Sequence, residues 1–154
     1  MRNDAAQQLT RLLSGARAAG VAMVPVSGYR SYDTQASLYA SYVQQYGQAT
    51  ADLISARPGH SEHQTGLTID IGNANGACGL QECFGGTPSG VWAAQNAWRY
   101  GFIVRYPQGQ TSITGYAYEP WHLRYVGLTI ASEMRSHNLS TLEHYMGLPA
   151  APSY

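Results

Sequence analysis

Three stretches of the sequence carry titratable side chains where packing alone does not call for them. In Leu67-Thr68-Ile69-Asp70-Ile71 apolar and polar residues alternate, so Asp70 interrupts an otherwise apolar strand. A carboxylate half-buried in such a strand is costly unless it is paired or bound to a metal. His63 precedes the strand across a bend at Gly66, which lets its ring and the Asp70 carboxylate converge. Glu119-Pro120-Trp121-His122 sets a second carboxylate and a second imidazole three residues apart around a rigid proline. Ser27-Gly28-Tyr29-Arg30-Ser31 places a guanidinium at the mouth of another strand.

Two imidazoles and one carboxylate form a ligand set that suits zinc with a fourth position left open for water. The remaining carboxylate can accept a proton, and a fixed guanidinium can hold a substrate carboxylate or stabilise an oxyanion. The chemistry this supports is metal-assisted hydrolysis of an amide. No His-Glu-x-x-His helix is present, so the common zinc-protease motif is absent. Taken singly, each group has an ordinary structural reading: histidines capping loops, Asp70 in a turn, Glu119 paired with Arg124, Arg30 in an ion pair. Their joint presence is what points to a metal site.

Helices and short strands must position these groups. Ala5, Leu9, Leu12, Leu13 and Ala16 recur at helical spacing over 4–19, with Gly20 as a stop. Residues 21–26 read as a strand. A second helix is expected over about 32–46, with Leu38, Tyr39, Tyr42, Val43 and Tyr46 on one stripe and Gly47 closing it. Residues 48–66 lack clean periodicity and read as loop with a short helix. In the strand that follows, Leu67, Ile69 and Ile71 face the core, and Thr68 and Asp70 face the other way. Ser89 is the expected N-cap of a helix ending before Gly101, and Phe102-Ile103-Val104 is a further strand. Residues 106–117 read as a polar loop. Pro120 argues for an edge strand or a bend after it. Residues 128–137 and 141–146 look helical. His60 reads as part of the Pro58-Gly59 turn, and His137 and His144 as solvated helix residues.

Residues 72–87 form a long glycine-rich loop, a kind usually reserved for function or held by a crosslink. Cys78 and Cys83 lie in it, close enough in sequence to reach disulfide geometry, which implies an oxidising compartment. A pair of reduced thiols is the alternative. Their spacing is not Cys-x-x-Cys and no second pair exists, so a zinc knuckle does not fit.

Composition narrows the classes further. A chain of 154 residues suits one domain, able to bury roughly two-thirds of its unfolded surface. Nine acidic residues balance nine basic ones, all arginine, so the net charge is zero. That argues against nucleic acid and against polybasic membrane attraction. No stretch has the length of a membrane span, and the N-terminus is amphipathic, unlike a signal core.

The motifs also resemble a known family. Ser27-Gly28-Tyr29-Arg30-Ser31, Pro58-Gly59-His60-Ser61-Glu62-His63-Gln64-Thr65-Gly66 through Asp70, Tyr100-Gly101-Phe102 with Arg105-Tyr106-Pro107, and Glu119-Pro120-Trp121-His122 with Tyr125 are similar to the VanY-type zinc D-alanyl-D-alanine carboxypeptidases. These are peptidoglycan-trimming metallopeptidases whose fold is shared with Hedgehog signalling domains. The resemblance runs from about Leu9 to Val126, with the motifs in the family's order.

It implies an α+β fold in which a small antiparallel sheet carries the zinc site between flanking helices. It further implies one peptidase domain over 1–154, with a core at about 4–147 and a tail over 148–154. His63, Asp70 and His122 would hold Zn2+, Glu119 would act as general base, and Arg30 would polarise the scissile carbonyl or hold the substrate. Ser61, Gln35, Tyr29 and Trp121 are the substrate-binding candidates, and Tyr106, Tyr116 and Tyr118 offer further ring surfaces. The expected reaction is removal of the C-terminal D-alanine from peptidoglycan stem peptides, by a monomer outside the cytoplasm, with Cys78 and Cys83 joined. An L,D-carboxypeptidase acting on tetrapeptide stems, a phage-type L-alanyl-D-glutamate endopeptidase and a metal-free peptidoglycan-binding module are the alternatives.

Overall fold

The computed structural model describes residues 1–151. Four strands form one antiparallel sheet: β1 (Met23–Ser27), β2 (Thr68–Asn73), β3 (Phe102–Tyr106) and β4 (Glu119–Tyr125), in the spatial order β1-β2-β4-β3. The helices are α1 (Asn3–Ala18), α2 (Tyr32–Tyr46), α3 (Gln48–Ile54), α4 (Pro88–Asn96), α5 (Thr111–Thr114), α6 (Leu128–Ser136) and α7 (Leu142–Met146). This is an α+β fold with a small antiparallel sheet.

The core lies on one face of the sheet. Leu9, Leu12 and Ala16 of α1 pack with Ile69 and Ile71 of β2, Phe102 of β3, Leu123 of β4 and Phe84 from the loop before α4. Each fully buried side chain of this size contributes about 1.5–3 kcal/mol. The opposite face is also buried, since Thr68 is 0% and Asp70 4% exposed. Polar residues buried on a sheet face mark a site rather than a solvated surface.

Two irregularities re-aim side chains towards that face, a recurrent use of bulges beside active sites. Between β1 and β2 the register slips between Pro25 and Ser27, which brings Ser27 opposite Asp70. Between β3 and β4 it slips again: four steps from Glu119 to Leu123 face only two from Val104 to Tyr106. Residues three apart in a regular strand point to opposite faces. The slip lets Glu119 reach the side where His122 sits.

It also explains Pro120. The strand is internal, between β2 and β3, not an edge. Pro120 falls inside the irregular stretch, where no ladder N–H is required of it.

Several other local expectations shift. The cap of α4 is Thr87, whose hydroxyl accepts from the Gly90 amide, while Ser89 is buried inside the helix. The segment 106–117 contains the last residue of β3 and the short α5. The stripe of α2 does not join the core, because Leu38, Tyr42 and Tyr46 line a cleft. Tyr39 instead donates to Asp52 at 2.6 Å. The expected tail at 148–154 begins docked: the Ala151 amide donates to the Ile113 carbonyl at 2.7 Å. Residues 152–154 of that stretch lie outside the described residues. Cys78 and Cys83 are disulfide-bonded, with Cα atoms 5.6 Å apart.

Candidate active site

β2 and β4 pair so that Asp70 lies directly opposite His122. The short 3₁₀ helix Glu62–Thr65 ends at Gly66, whose left-handed φ of 70° turns the chain into β2. Around that bend His63 comes back over the strand: its Nε2 lies 3.3 Å from Asp70 Oδ2, and Asp70 Oδ1 lies 3.3 Å from His122 Nδ1. All three residues are buried, and their candidate ligand atoms lie within 4.8 Å of one another.

This cluster fits a tetrahedral cation. Ligands at the usual zinc distances sit roughly 3.4 Å apart around the ion. Asp70 Oδ1 is buried without a hydrogen-bond partner, a costly state that a cation relieves. The His63 Nδ1–H donates to the Gly28 carbonyl at 2.6 Å, which fixes the ring with Nε2 aimed at Asp70. At His122 the inner nitrogen is Nδ1, and the outer Nε2 faces Glu62 Oε2 at 3.6 Å.

The carboxylates differ in proton affinity. Burial pushes Asp70 up, but the adjacent His122 and His63 rings outweigh it and hold the carboxyl at about 2. Burial dominates at Glu119 and pushes it up to about 7, although its Oε2 lies 3.4 Å from His122 Nδ1. His122 is raised to about 9: burial opposes its charge, but Asp70 and Glu62 stabilise it more.

A proton on His122 competes with a metal for Nδ1. Zinc affinity is therefore expected to rise with pH up to about 9, changing about tenfold per pH unit below it, with one proton released. Chelator competition between pH 6.5 and 8.5 measures this (a range set about neutrality); a flat profile would contradict it.

The cluster opens into a cleft of about 510 Å³, within the usual range for ligand sites. Arg30, Ser61, Glu119, Trp121 and the three cluster residues line it. Trp121 also packs against the core. Tyr106 is buried with its ring 4.8 Å from that of His122 and 4.5 Å from that of Tyr116, and both tyrosines line the cleft with Tyr118. Leu80, Gln81 and Glu82 of the disulfide-closed loop form part of its wall.

Two substrate-binding candidates lie elsewhere. Tyr29 is 63% exposed and outside the lining. Gln35 is fully buried behind Arg30, its amide oxygen accepting from Arg30 Nη1 at 2.9 Å. Its amide nitrogen donates to Ser55 Oγ and to the Ala56 carbonyl, and Arg30 Nη2 donates to Ser27 Oγ. His60 is exposed and closes a turn through its amide to the Arg57 carbonyl; His137 and His144 are exposed.

Sequence reasoning gave no role to Glu62, Arg105 or Glu143. Arg105 Nε donates to Glu62 Oε1 at 2.9 Å, and its two terminal nitrogens grip both oxygens of Glu143. No local spacing marks them in the sequence; the one relevant feature is that charged residues are scarce, at 12% of the chain.

Comparison with known proteins shows the family of this chain. Residues 1–128 match the family described as VanY, D-alanyl-D-alanine carboxypeptidase. The chain is 45% identical over 145 residues to a putative carboxypeptidase of Bacillus subtilis, YodJ, covering 94% of this chain and 53% of that protein. The chain spans about half the length of the curated relatives it matches. The solved LdcB L,D-carboxypeptidase, described with its peptidoglycan recognition, superposes with a TM-score of 0.88 at 44% identity, over 96% of this chain and 68% of that one. A vancomycin-resistance D,D-pentapeptidase VanY variant solved with Zn(II) gives 0.83 at 34% identity, over 95% and 83%. The chain belongs to the VanY D-alanyl-D-alanine carboxypeptidase family.

Proposed function

We propose that this chain is the peptidase unit of a zinc carboxypeptidase that releases the C-terminal D-alanine of peptidoglycan stem peptides. One observation carries the reading. A buried His63–Asp70–His122 cluster, a Glu119 carboxylate and the Arg30 guanidinium share one open cleft. Members of the family with D-Ala-D-Ala and with Zn(II) bound have been solved at 35% and 34% identity to this chain.

His63, Asp70 and His122 hold the metal. Zinc, when bound, supplies Lewis acidity that polarises the scissile carbonyl and acidifies water. Glu119 accepts a proton from the attacking water and returns it to the leaving amine. Its burial keeps its proton affinity near the working range, and a neighbouring cation lowers it into the base form at neutral pH. Arg30 pairs with the substrate's terminal carboxylate or with the oxyanion. Ser61 and Trp121, on the cleft wall, contact the stem peptide. The substrate lies outside the cytoplasm, where a Cys78–Cys83 disulfide persists.

Gln35 holds Arg30 in place from behind, so Gln35→Ala is expected to raise KM about tenfold while leaving zinc content unchanged. A hydrogen bond to a charged group is worth about 1.5–3 kcal/mol, and 1.4 kcal/mol is tenfold. Steady-state kinetics with metal analysis check it; an unchanged KM would remove the positioning role.

The second reading is an L,D-carboxypeptidase, favoured by the 44% and 42% identity to solved L,D-carboxypeptidases. Mass spectrometry on defined pentapeptide and tetrapeptide stems separates the two. The D,D reading predicts that the pentapeptide loses its terminal alanine much faster; preferential trimming of the tetrapeptide would replace it with the L,D reading.

A further inference from the structure

We infer that Glu62 is a positioning residue for the metal ligand His122, braced through Arg105 by Glu143. This rests on the reading of His63, Asp70 and His122 as the metal site. His122 Nδ1 faces the cluster, so its other ring nitrogen must carry the proton and needs an acceptor. The only ion-pair partner recorded for that Nε2 among the described residues is Glu62 Oε2, at 3.6 Å. Both atoms are buried and neither has a hydrogen-bond partner. Two orphaned polar atoms facing each other in the interior are costly unless the contact has a use.

The arrangement of Arg105 argues against a plain structural ion pair. Its two terminal nitrogens, the fork that best matches a carboxylate, are given to Glu143 at 3.0 and 2.6 Å. Glu62 receives only the Nε donor, at 2.9 Å and on Oε1. Oε2 is thereby left turned towards His122, with Arg124 Nη1 at 3.6 Å as its further cation. Two carboxylates and two guanidiniums balance, so the charge on Glu62 is kept without net buried charge.

The chain of contacts also crosses the fold. Glu62 belongs to the 3₁₀ helix before β2, Arg105 sits at the irregular step of β3, and Glu143 is buried in α7. Glu143 lies beyond residue 128, where the family match ends. The last helix thus helps to orient a ligand of the metal centre.

The test is zinc affinity of the folded, metal-free protein, measured by chelator competition at one pH, with circular dichroism as the check on folding. Glu62→Ala is expected to weaken zinc binding about 10–100-fold, the usual cost of losing an outer-shell partner. Glu62→Gln, which still offers an oxygen to the Nε2–H, should lose less. Glu143→Ala should weaken binding in the same direction, and adding it to Glu62→Ala should cost nothing further, because both act along one path. Cobalt substitution supplies a spectroscopic readout: the ligand-field bands of Glu62→Ala should differ from those of the parent.

Zinc affinity of Glu62→Ala within twofold of the parent would overturn the inference, whatever its melting temperature. Additive losses in the double variant would overturn the path from Glu143. Should Glu62→Ala fail to fold, Glu62→Gln and Glu143→Ala carry the test, and unchanged affinity in both is the contrary result. A parent protein that binds zinc but trims no stem peptide would sink the proposed reaction and leave this inference standing.

Discussion

Glu119→Gln is expected to keep zinc bound and to lower kcat by about 10³–10⁴, the upper part of the range for general acid–base catalysis. The large effect follows from one carboxylate serving twice, as base towards water and as acid towards the leaving amine. Gln keeps the shape but carries no proton between them. Metal retention follows from geometry, because His63, Asp70 and His122 form the cluster without it. Metal analysis beside single-turnover kinetics separates the two effects; wild-type turnover would refute the assigned role.

The same substitution has a stability consequence of opposite sign. Burial raises the Glu119 carboxyl from 4.5 to about 7 in the fold, so ionising it above that pH costs stability on the order of 3 kcal/mol. A raised carboxyl carries no such cost below its unfolded value. Metal-free Glu119→Gln should therefore melt higher than metal-free parent near pH 8 and show no such gain near pH 4. Such a cost at a site is a familiar trade between stability and activity.

Asp70→Ala should remove both metal and activity. Asp70 is the carboxylate between the two imidazoles, touching one with each oxygen at 3.3 Å. Without it two neutral ligands remain, too few for a firmly held tetrahedral zinc. Losing the Lewis acid forfeits several kcal/mol of transition-state stabilisation, which is a fall of about 10³-fold or more in kcat/KM. Substoichiometric zinc after dialysis, with activity partly restored by excess zinc, is the expected pattern. Full zinc occupancy in the variant would move the ligand role elsewhere.

Much of this site was legible because its members sit in short local patterns. Asp70 stands out in an apolar alternation, His63 lies one bend away, and Glu119 and His122 flank a proline. What local pattern could not show was how strands align. The register slip that turns Glu119 towards His122 depends on pairing between β3 and β4, and it also admits Pro120 to an internal strand.

The outer partners were hidden for the same reason. Glu62 and Arg105 are 43 residues apart, and Arg105 and Glu143 are 38 apart. Neither pair has a periodicity to betray it. Tyr29 illustrates the converse: a ring beside Arg30 in sequence points to solvent, because adjacent residues leave a turn in different directions. The tyrosines of α2 looked like a packing stripe, yet Tyr42 and Tyr46 line the cleft. An apolar stripe need not enter the core, and here it forms one wall of the open cleft.

The most direct measurement is release of alanine from a defined peptidoglycan pentapeptide by the zinc-loaded chain, followed by mass spectrometry with and without a chelator. One terminal alanine should be lost, the loss should stop when zinc is stripped, and it should resume when zinc is restored. No release by the zinc-loaded chain, or equal release after the metal is removed, would contradict a zinc carboxypeptidase built on His63, Asp70 and His122.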